Sequence, residues 1–287
     1  MKKLYSLVLS FLLYQAAWAQ DASSDKDKAL LQEGTCLYQS EMASWHGSDL
    51  FMAQLKTKAN LLGGYLSYPD GDKVKCIFFT REEQPSVIAQ ASFEPTFDLK
   101  QATLEEQARP FNAREQELFT IRKAALARIN SDTLFKSYSN ANLNLIPLIE
   151  QEERKVYVLT GPTTQGVVLF GNDYLLTFDK TNKISAIKQL HKSLIPIQTS
   201  PTVKDGKAEP AIASMHTHLP ETGDHFTATD ICTLLLYQKF TTWKHHYVVT
   251  PKNVSVWNCE TNQLTTLTKE AWEKINQHQQ QLRDKRK

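Results

Sequence analysis

The spacing of apolar and polar residues in the first half of the chain predicts a helix followed by a β-meander. Residues 29–58 have a mixed but mostly helical pattern, in which Gly34 and Gly47 are expected breaks. Two strand-like runs then flank the Pro-Asp-Gly-Asp segment of residues 69–72, and turn-forming residues between strands predict a hairpin. Residues 86–91 predict a third strand.

A second helix is expected to begin after Asn112. Glu115 follows three residues later, which is the spacing of a capping box. The apolar residues of this helix form one stripe: Leu118, Ile121, Ala125 and Ile129. Residues 29–140 therefore predict an N-terminal α+β module, and its only histidine, His46, is interpreted as a packed or surface residue.

The pattern of the second half predicts many strands and one strongly apolar helix. An apolar run over residues 145–149 precedes the charged residues 150–155, and strand-like runs then cover residues 156–159, 166–170, 174–178, 184–197, 247–250 and 254–257. Residues 199–209 predict a loop that leads to a strand ending at His218, and the apolar helix follows over residues 231–243. We expect one α+β domain over residues 141–265 and a polar tail over residues 266–287.

The first twenty residues have the features of a secretory signal peptide. Lysines at residues 2–3 precede an apolar run over residues 4–13, and Ala-Trp-Ala at residues 17–19 fits the cleavage rule. The apolar run is shorter than the roughly 20 residues of a membrane span, although an uncleaved anchor is an alternative. We expect residues 1–19 to be removed and residues 20–28 to form a flexible lead-in. The protein would then be exported, periplasmic or secreted, without an integral membrane segment.

Charge and cysteine content narrow the class of protein. The 33 basic residues are nearly balanced by 31 acidic ones, so no basic surface predicts nucleic-acid binding. Four cysteines in an exported chain permit two disulfides: Cys36, Cys76, Cys232 and Cys259. Their spacing suggests one pair in each half of the chain, and buried free thiols are the alternative.

The strongest candidates for a functional site are the His-Thr-His block of residues 216–218 and the Thr-Ala-Thr-Asp block of residues 227–230. His216 and His218 would point to one face of a strand, because side chains alternate with a period of two. Asp230 would lie at the start of the next helix. Two imidazoles and one carboxylate, with a fourth position open to water, can hold a catalytic zinc whose bound water has a pKa near 7. The alternative is that Asp230 only caps the helix.

This arrangement resembles the JAMM (JAB/MPN) metalloprotease motif, in which His-x-His is followed by Ser-x-x-Asp. The resemblance covers at most about residues 145–260 and implies a mixed sheet with flanking helices, related to the cytidine deaminases. It implies that His216, His218 and Asp230 bind one zinc ion and that Thr227 replaces the serine that stabilises the tetrahedral intermediate. Members of this family cleave peptide or isopeptide bonds. The Gly-Asn-Asp-Tyr segment and the His-Thr-His block are also similar to exported proteins of the Bacteroidetes type, a resemblance that implies no activity.

The chain departs from the JAMM motif at the general base. The family's glutamate corresponds to about Thr163, with Gln165 nearby, and neither side chain accepts a proton as a carboxylate does. Glu221, in the loop after His218, is the substitute nearest in sequence to the metal ligands. Other glutamates that could substitute are Glu150, Glu152 and Glu153. His191 could be a fourth ligand, a partner of a ligand or simply a hydrogen-bonded strand residue.

The remaining polar residues of the second half are interpreted as structural. His225 is expected in a loop and Asp173 in a hairpin turn, and His245 and His246 have no partner at ligand spacing. No phosphate-binding loop, nucleophile elbow or deaminase motif occurs.

Two functions of different class follow from these residues. The first is a zinc-dependent hydrolase of peptide or amide bonds, in which Thr227 steadies the oxyanion and Glu221 is a weak candidate for the base. The second is a catalytically inactive metal-binding module with an envelope protein as partner. The intact ligand set favours the first and the missing glutamate favours the second, while a metal-free structural domain stays a third possibility.

Overall fold

The computed structural model describes the backbone of residues 2–204 and 207–285 and the side chains of residues 25–201 and 209–285. The predicted signal peptide, residues 1–19, lies outside the described side chains. Within the described part of the chain, no helix combines the length and apolar character that a membrane span needs. The first helix, α1 (Lys2–Gln54), includes residues 20–28, which were predicted to form a flexible lead-in.

A 3-10 helix (Lys56–Leu61) connects α1 to an antiparallel meander. The strands lie in the sheet in chain order: β1 (Leu62–Asp70), β2 (Lys73–Thr80), β3 (Ser86–Phe93) and β4 (Thr103–Pro110). The predicted hairpin and third strand are therefore confirmed. The sequence analysis missed β4, because its largely exposed side chains lack the alternation that identifies a half-buried strand.

Helix α2 (Ala113–Ser131) begins where the capping box predicted it. Asn112 Oδ1 accepts a hydrogen bond from the Glu115 amide at 2.8 Å, and Glu115 Oε2 accepts one from the Asn112 amide at 2.8 Å. Leu118, Ile121 and Ala125 are buried, as the apolar stripe predicts. The helix packs against the second sheet, so α2 connects the two halves of the chain.

The second half opens with a four-stranded antiparallel sheet and two short strand pairs. The strands are β5 (Ala141–Glu150), β6 (Glu153–Pro162), β7 (Val167–Gly171), β8 (Tyr174–Phe178), β9 (Ile184–Gln189), β10 (Leu194–Gln198), β11 (Thr202–Lys204) and β12 (Lys207–Glu209). The sheet order is β5-β6-β8-β9, and β7 pairs with β10. The prediction of a loop over residues 199–209 is wrong in part, since β11 and β12 form a hairpin there.

The last sheet holds the His-Thr-His block. Its elements are β13 (Ala213–Thr217), α3 (Ala228–Tyr237), a 3-10 turn (Gln238–Phe240), β14 (His245–Val249), β15 (Asn253–Asn258), β16 (Gln263–Thr268) and α4 (Lys269–Asp284). Strand β13 pairs in parallel with β14, and α3 is the crossover between them. The predicted strand before His218 and the predicted strands over residues 247–250 and 254–257 are confirmed. The apolar helix was predicted over residues 231–243 and instead covers Ala228–Tyr237. The predicted tail is folded, because β16 and α4 occupy most of residues 266–287.

The prediction that Gly34 and Gly47 break the first helix is wrong, because α1 continues through both. A Cβ atom at Gly34 would lie 2.7 Å from the Cβ of Ile231 and 3.0 Å from the carbonyl oxygen of Ala228. A Cβ at Gly47 would lie 3.0 Å from Sγ of Cys76. The two glycines therefore allow close packing of α1 against α3 and β2.

The molecule is a mixed α+β protein, as predicted. One hydrophobic cluster contains residues from both halves, including Phe51 and Phe78 from the first and Tyr157 and Cys232 from the second. The fold class is thus confirmed at the level of α+β, and a JAB/MPN domain stays a prediction.

All four cysteines are free thiols, so the suggested pairing of Cys36 with Cys76 and of Cys232 with Cys259 is not found. Cys36 instead donates a hydrogen bond to Glu150 at 3.3 Å, which leaves that glutamate engaged far from the His-Thr-His block. Cys36, Cys76 and Cys232 are buried. The alternative of buried free thiols holds for these three.

Candidate metal centre

Strand β13 delivers two histidines to the protein interior. Met215 and Thr217 are exposed, whereas Ser214 and His216 are buried, which is the alternation of a strand with one face in the core. The amide of His218 donates to the carbonyl of Val249 at 3.0 Å, so the ladder with β14 continues past the end of β13. His218 therefore lies on the same buried face as His216, as predicted.

Thr227 holds Asp230 at the start of α3 through a capping box. The Thr227 hydroxyl oxygen accepts from the Asp230 amide at 3.1 Å, and Asp230 Oδ2 accepts from the Thr227 amide at 2.8 Å. The hydroxyl also donates to Asp230 Oδ2 at 2.8 Å. Asp230 is therefore a helix cap and, through Oδ1, a candidate ligand at the same time, and the Thr227 hydroxyl is engaged in orienting it.

His191 enters the site from the turn between β9 and β10. Its amide and that of Leu190 approach the Asp173 carbonyl at 3.4 and 2.8 Å. Gly171 has a φ of +81°, and a Cβ there would lie 2.2 Å from the carbonyl oxygen of Ser193, so the turn can close this tightly only over a glycine. This close approach brings the His191 ring to the two histidines of the β13 segment.

Four ligand atoms converge at this point. Nε2 of His218 lies 2.9 Å from Nε2 of His216 and 3.0 Å from Nε2 of His191. The Asp230 carboxylate lies 3.3 to 3.5 Å from all three nitrogens. All four ligand atoms lie within 4.8 Å of one another, and all four residues are buried. This buried cluster of three histidines and one aspartate could hold a metal ion.

The separations within the cluster fit four ligands around one ion. A tetrahedral zinc with ligand distances near 2.0–2.1 Å has ligand atoms about 3.3 Å apart. Five of the six separations lie between 2.9 and 3.5 Å and scatter around that value. His191 stands where a site with three protein ligands would keep a water molecule.

In each of the three histidines, Nδ1 points away from the cluster and is the outer ring nitrogen. It faces a group that can accept its proton. Nδ1 of His218 donates to the carbonyl oxygen of His225 at 2.9 Å. Because a carbonyl only accepts, a neutral His218 ring must carry its lone pair on Nε2, toward the cluster. Nδ1 of His191 lies 3.4 Å from Oδ2 of Asp173, whose other oxygen, Oδ1, accepts a hydrogen bond from the amide of Thr160 at 3.0 Å.

His216 is backed by a second histidine. Its Nδ1 lies 2.9 Å from Nε2 of His246, and Nδ1 of His246 lies 2.7 Å from the hydroxyl of Ser214. Phe170 stacks on His246, with ring centroids 4.5 Å apart. Metal-binding histidines characteristically use the other ring nitrogen in such a bond, which fixes the ring and its tautomer.

Burial and charge act in opposite directions on the ionisable groups. Burial alone raises the pKa of Asp230, but His191, His216 and His218 outweigh it and hold that pKa well below its usual value. Burial lowers the pKa of His216 and, more strongly, that of His246. Burial also lowers the pKa of His191, but Asp230 and Asp173 reverse the direction and raise it. An ionised aspartate and neutral His216 are the forms that bind a metal.

Asp230 Oδ1 is a buried oxygen without a hydrogen-bond donor among the described residues. A buried carboxylate oxygen in that state is costly unless a cation lies nearby. The Nε2 atoms of His191 and His216 lie 3.5 and 3.4 Å from this oxygen and could donate to it only if protonated. A bound cation would neutralise the oxygen while both rings stay neutral. The donor set and this oxygen therefore fit a resident metal ion.

None of the residues considered as a replacement base touches the cluster. Glu221 is exposed and forms an ion pair with Lys192. Thr163 and Gln165 line a different surface groove, together with Trp45 and Phe240. Asp173 brings a second carboxylate to the cluster, with Oδ2 at 3.4 Å from Nδ1 of His191.

Two supporting residues lacked a usable signal in the sequence. Asp173 was interpreted as a turn residue and His246 as a histidine without a partner, because both meet the cluster only through tertiary contacts. His225 lies in the predicted loop and contributes its backbone carbonyl. In β14, His246 is buried between two half-buried residues, His245 and Tyr247, which is the inward position of a strand.

Comparison with known protein families, with curated proteins and with solved structures finds no match to this chain. The likeness to the JAMM motif therefore stays a resemblance carried by His216, His218, Thr227 and Asp230.

Proposed function

We propose that this protein is a metal-binding module whose zinc ion has four protein ligands and a structural role. The observation that carries the proposal is the position of His191, whose Nε2 atom lies at ligand spacing from His218 and Asp230. Structural zinc sites have four protein ligands, whereas catalytic sites keep one position for water or substrate. Three histidines and one aspartate complete a closed set.

The surroundings of the cluster support a structural role. The side chains of His216, His218 and Asp230 are fully buried, and that of His191 is 4% exposed. A peptide carbonyl would have to displace a buried ligand to reach the ion. Asp173 is within reach of His191, and its geometry suits orienting that ring rather than activating water.

When bound, zinc would cross-link the β13 segment, the start of α3 and the turn after β9. His191 in the turn after β9 lies 27 positions before His218, and the packing of these elements leaves Asp230 Oδ1 without a hydrogen-bond donor among the described residues. A metal that binds only the folded state stabilises it by RT ln(1 + [metal]/Kd). A module of this kind would present a rigid surface to an envelope protein partner.

A zinc-dependent hydrolase of peptide or amide bonds is the second candidate. It is favoured by one observation, that His216, His218 and Asp230 occupy the strand–loop–helix arrangement that the JAMM resemblance implies. In that case His191 would have to leave the ion and Glu221, or another carboxylate, would have to approach it.

Cobalt(II) substitution separates these two functions. The visible spectrum of the cobalt-loaded protein is expected to indicate tetrahedral coordination and to stay unchanged when azide is added, because no position is open. His191→Ala should create an open position, so azide should then change the spectrum. His245→Ala, which removes a neighbouring histidine outside the cluster, is the matched control. An azide-sensitive spectrum in the unsubstituted protein, together with cleavage of peptide substrates, would favour the hydrolase.

A further inference from the structure

A small polar cavity lies at the junction of α1, α2, β1 and β5, apart from the metal centre. Its volume is about 90 Å³, which is room for a few water molecules. Polar side chains supply much of its lining: Ser40, Glu41, Ser44, Tyr65, Arg122 and Asn144. None of these residues contacts the metal-ligand cluster, so the cavity is independent of the proposed function.

Two opposite charges face this cavity without meeting. Glu41 accepts a hydrogen bond from Nδ2 of Asn144 at 2.7 Å, and Nε of Arg122 donates to the carbonyl of Leu145 at 3.2 Å. Among the described residues, no guanidinium nitrogen of Arg122 lies within 4.0 Å of the Glu41 carboxylate. The guanidinium therefore has donors left over, and the carboxylate has an acceptor left over.

The electrostatic surroundings agree with this geometry. Burial raises the pKa of Glu41 to about 7, although Asn144 and Arg122 act against it. Burial lowers the pKa of Arg122, although Tyr65 and Glu41 act against it. Both shifts disfavour the charged forms of Glu41 and Arg122. A dipolar molecule bound between the two groups would stabilise those charged forms.

A buried hydroxyl group also points to a ligand. The Ser40 side chain is 3% exposed, and its Oγ atom has no hydrogen-bond partner among the described residues. The neighbouring Ser44 is engaged, because its hydroxyl bonds with the Ser40 carbonyl and with Ser67, each at 2.9 Å. Buried hydroxyl groups are normally satisfied by protein, water or ligand. Tyr65 is 39% exposed, so the cavity lies close to the surface.

We propose that this cavity binds a small zwitterionic amino acid of the size of glycine or alanine. The carboxylate of the ligand would accept hydrogen bonds from the guanidinium of Arg122, and its ammonium group would donate to Glu41 and to the Ser40 hydroxyl. Pairing a guanidinium with a carboxylate is the strongest of these contacts, because both partners are charged and their planar geometries match. The small volume of the cavity favours amino acids with small side chains.

Isothermal titration calorimetry on the full chain tests this site with glycine, L-alanine, L-leucine, acetate and methylammonium as probes. We expect saturable binding of one glycine or alanine per chain, and at least tenfold weaker binding of the other three probes. Glu41→Gln and Arg122→Gln should each weaken glycine binding at least tenfold, whereas the surface controls Glu82→Gln and Arg128→Gln should leave it unchanged. Ser40→Ala, a milder change, should weaken it several-fold. Circular dichroism checks that each variant is folded.

Three results would overturn the proposal. The first is the absence of saturable glycine or alanine binding to the folded, unsubstituted protein, which would mean that water alone fills the cavity. The second is equal binding of acetate, which would indicate a simple anion site on Arg122. The third is glycine binding that survives in folded Glu41→Gln and Arg122→Gln.

Discussion

Nε2 of His191 lies 3.0 Å from Nε2 of His218, although 27 positions separate the two residues in the chain. Nδ1 of His218 donates its proton to the carbonyl oxygen of His225, so Nε2, which faces the cluster, carries a lone pair in the neutral ring. Two neutral imidazoles in this arrangement would direct lone pairs at one another and at the Asp230 carboxylate. A shared metal ion would remove that conflict, and it would also explain why the three outer nitrogens each face an acceptor. The predictions below follow from this relationship and from the packing that supports it.

His246 is expected to set the metal affinity through His216. Substituting His246 by alanine removes the partner of Nδ1 of His216, and loss of such a partner typically weakens metal binding about 10- to 100-fold. His246→Gln should restore part of the affinity, because its amide oxygen can accept the same proton. Zinc competition against a chromophoric chelator measures both effects, with His245→Ala as the control. Equal zinc affinity in His246→Ala and the unsubstituted protein would contradict this role.

Gly34 should be intolerant of a side chain, because α1 and α3 touch there. A valine at position 34 would meet Ile231 and the carbonyl of Ala228, and overpacking of this kind costs about 1–3 kcal/mol. Gln32→Val, at an exposed position on the same helix, should cost less than about 1 kcal/mol, since only helix propensity changes. Urea unfolding measures the two free energies of unfolding. If the two variants were equally stable, the close packing of α1 on α3 would be refuted.

The buried carboxylate of Glu115 should make stability depend on pH in the acid range. It accepts hydrogen bonds from Arg109 at 2.6 and 2.7 Å and from the Tyr68 hydroxyl at 2.7 Å. Burial raises the pKa of Glu115, but the bonds from Arg109, Asn112 and Tyr68 outweigh burial and lower it. Its contribution is therefore fully present above the unfolded pKa of about 4.3 and is lost as pH falls through the lower folded pKa.

Glu115→Ala is expected to cost about 3 kcal/mol at neutral pH, because it leaves Arg109 without its partner. Glu115→Gln should be less harmful and should flatten the dependence of unfolding free energy on pH below about 4.3. Denaturant unfolding between neutral pH and pH 3 gives both quantities. A pH profile that is identical with and without the Glu115 carboxylate would show that another group controls acid stability.

The sequence predicted those parts of the fold and site that depend on local patterns. Short-range features include the capping boxes at Asn112 and Thr227 and the shared strand face of His216 and His218. Each was found where the pattern placed it. His191 could be proposed only as one of several options, because its approach requires the tight turn at Gly171 and the pairing of β7 with β10. Such tertiary contacts have no fixed spacing along the chain.

Two sequence-based errors have a common physical cause. Gly34 and Gly47 were interpreted as breaks from helix propensity, yet each is needed for close approach of another element. The predicted cysteine pairs rest on spacing along the chain, whereas the structure holds all four cysteines as free thiols, three of them buried. For the glycines and for the cysteines alike, the role depends on packing against residues that are remote in sequence.

The metal content of the purified protein, measured by elemental mass spectrometry, tests the central claim most directly. We expect one zinc per chain in the unsubstituted protein and in the control His245→Ala, and strongly reduced zinc in His218→Ala and Asp230→Asn. Removal of zinc by a chelator should lower the melting temperature of the unsubstituted protein, and added zinc should restore it. A folded protein that binds no zinc even after incubation with the metal, or full zinc in His218→Ala, would contradict the account.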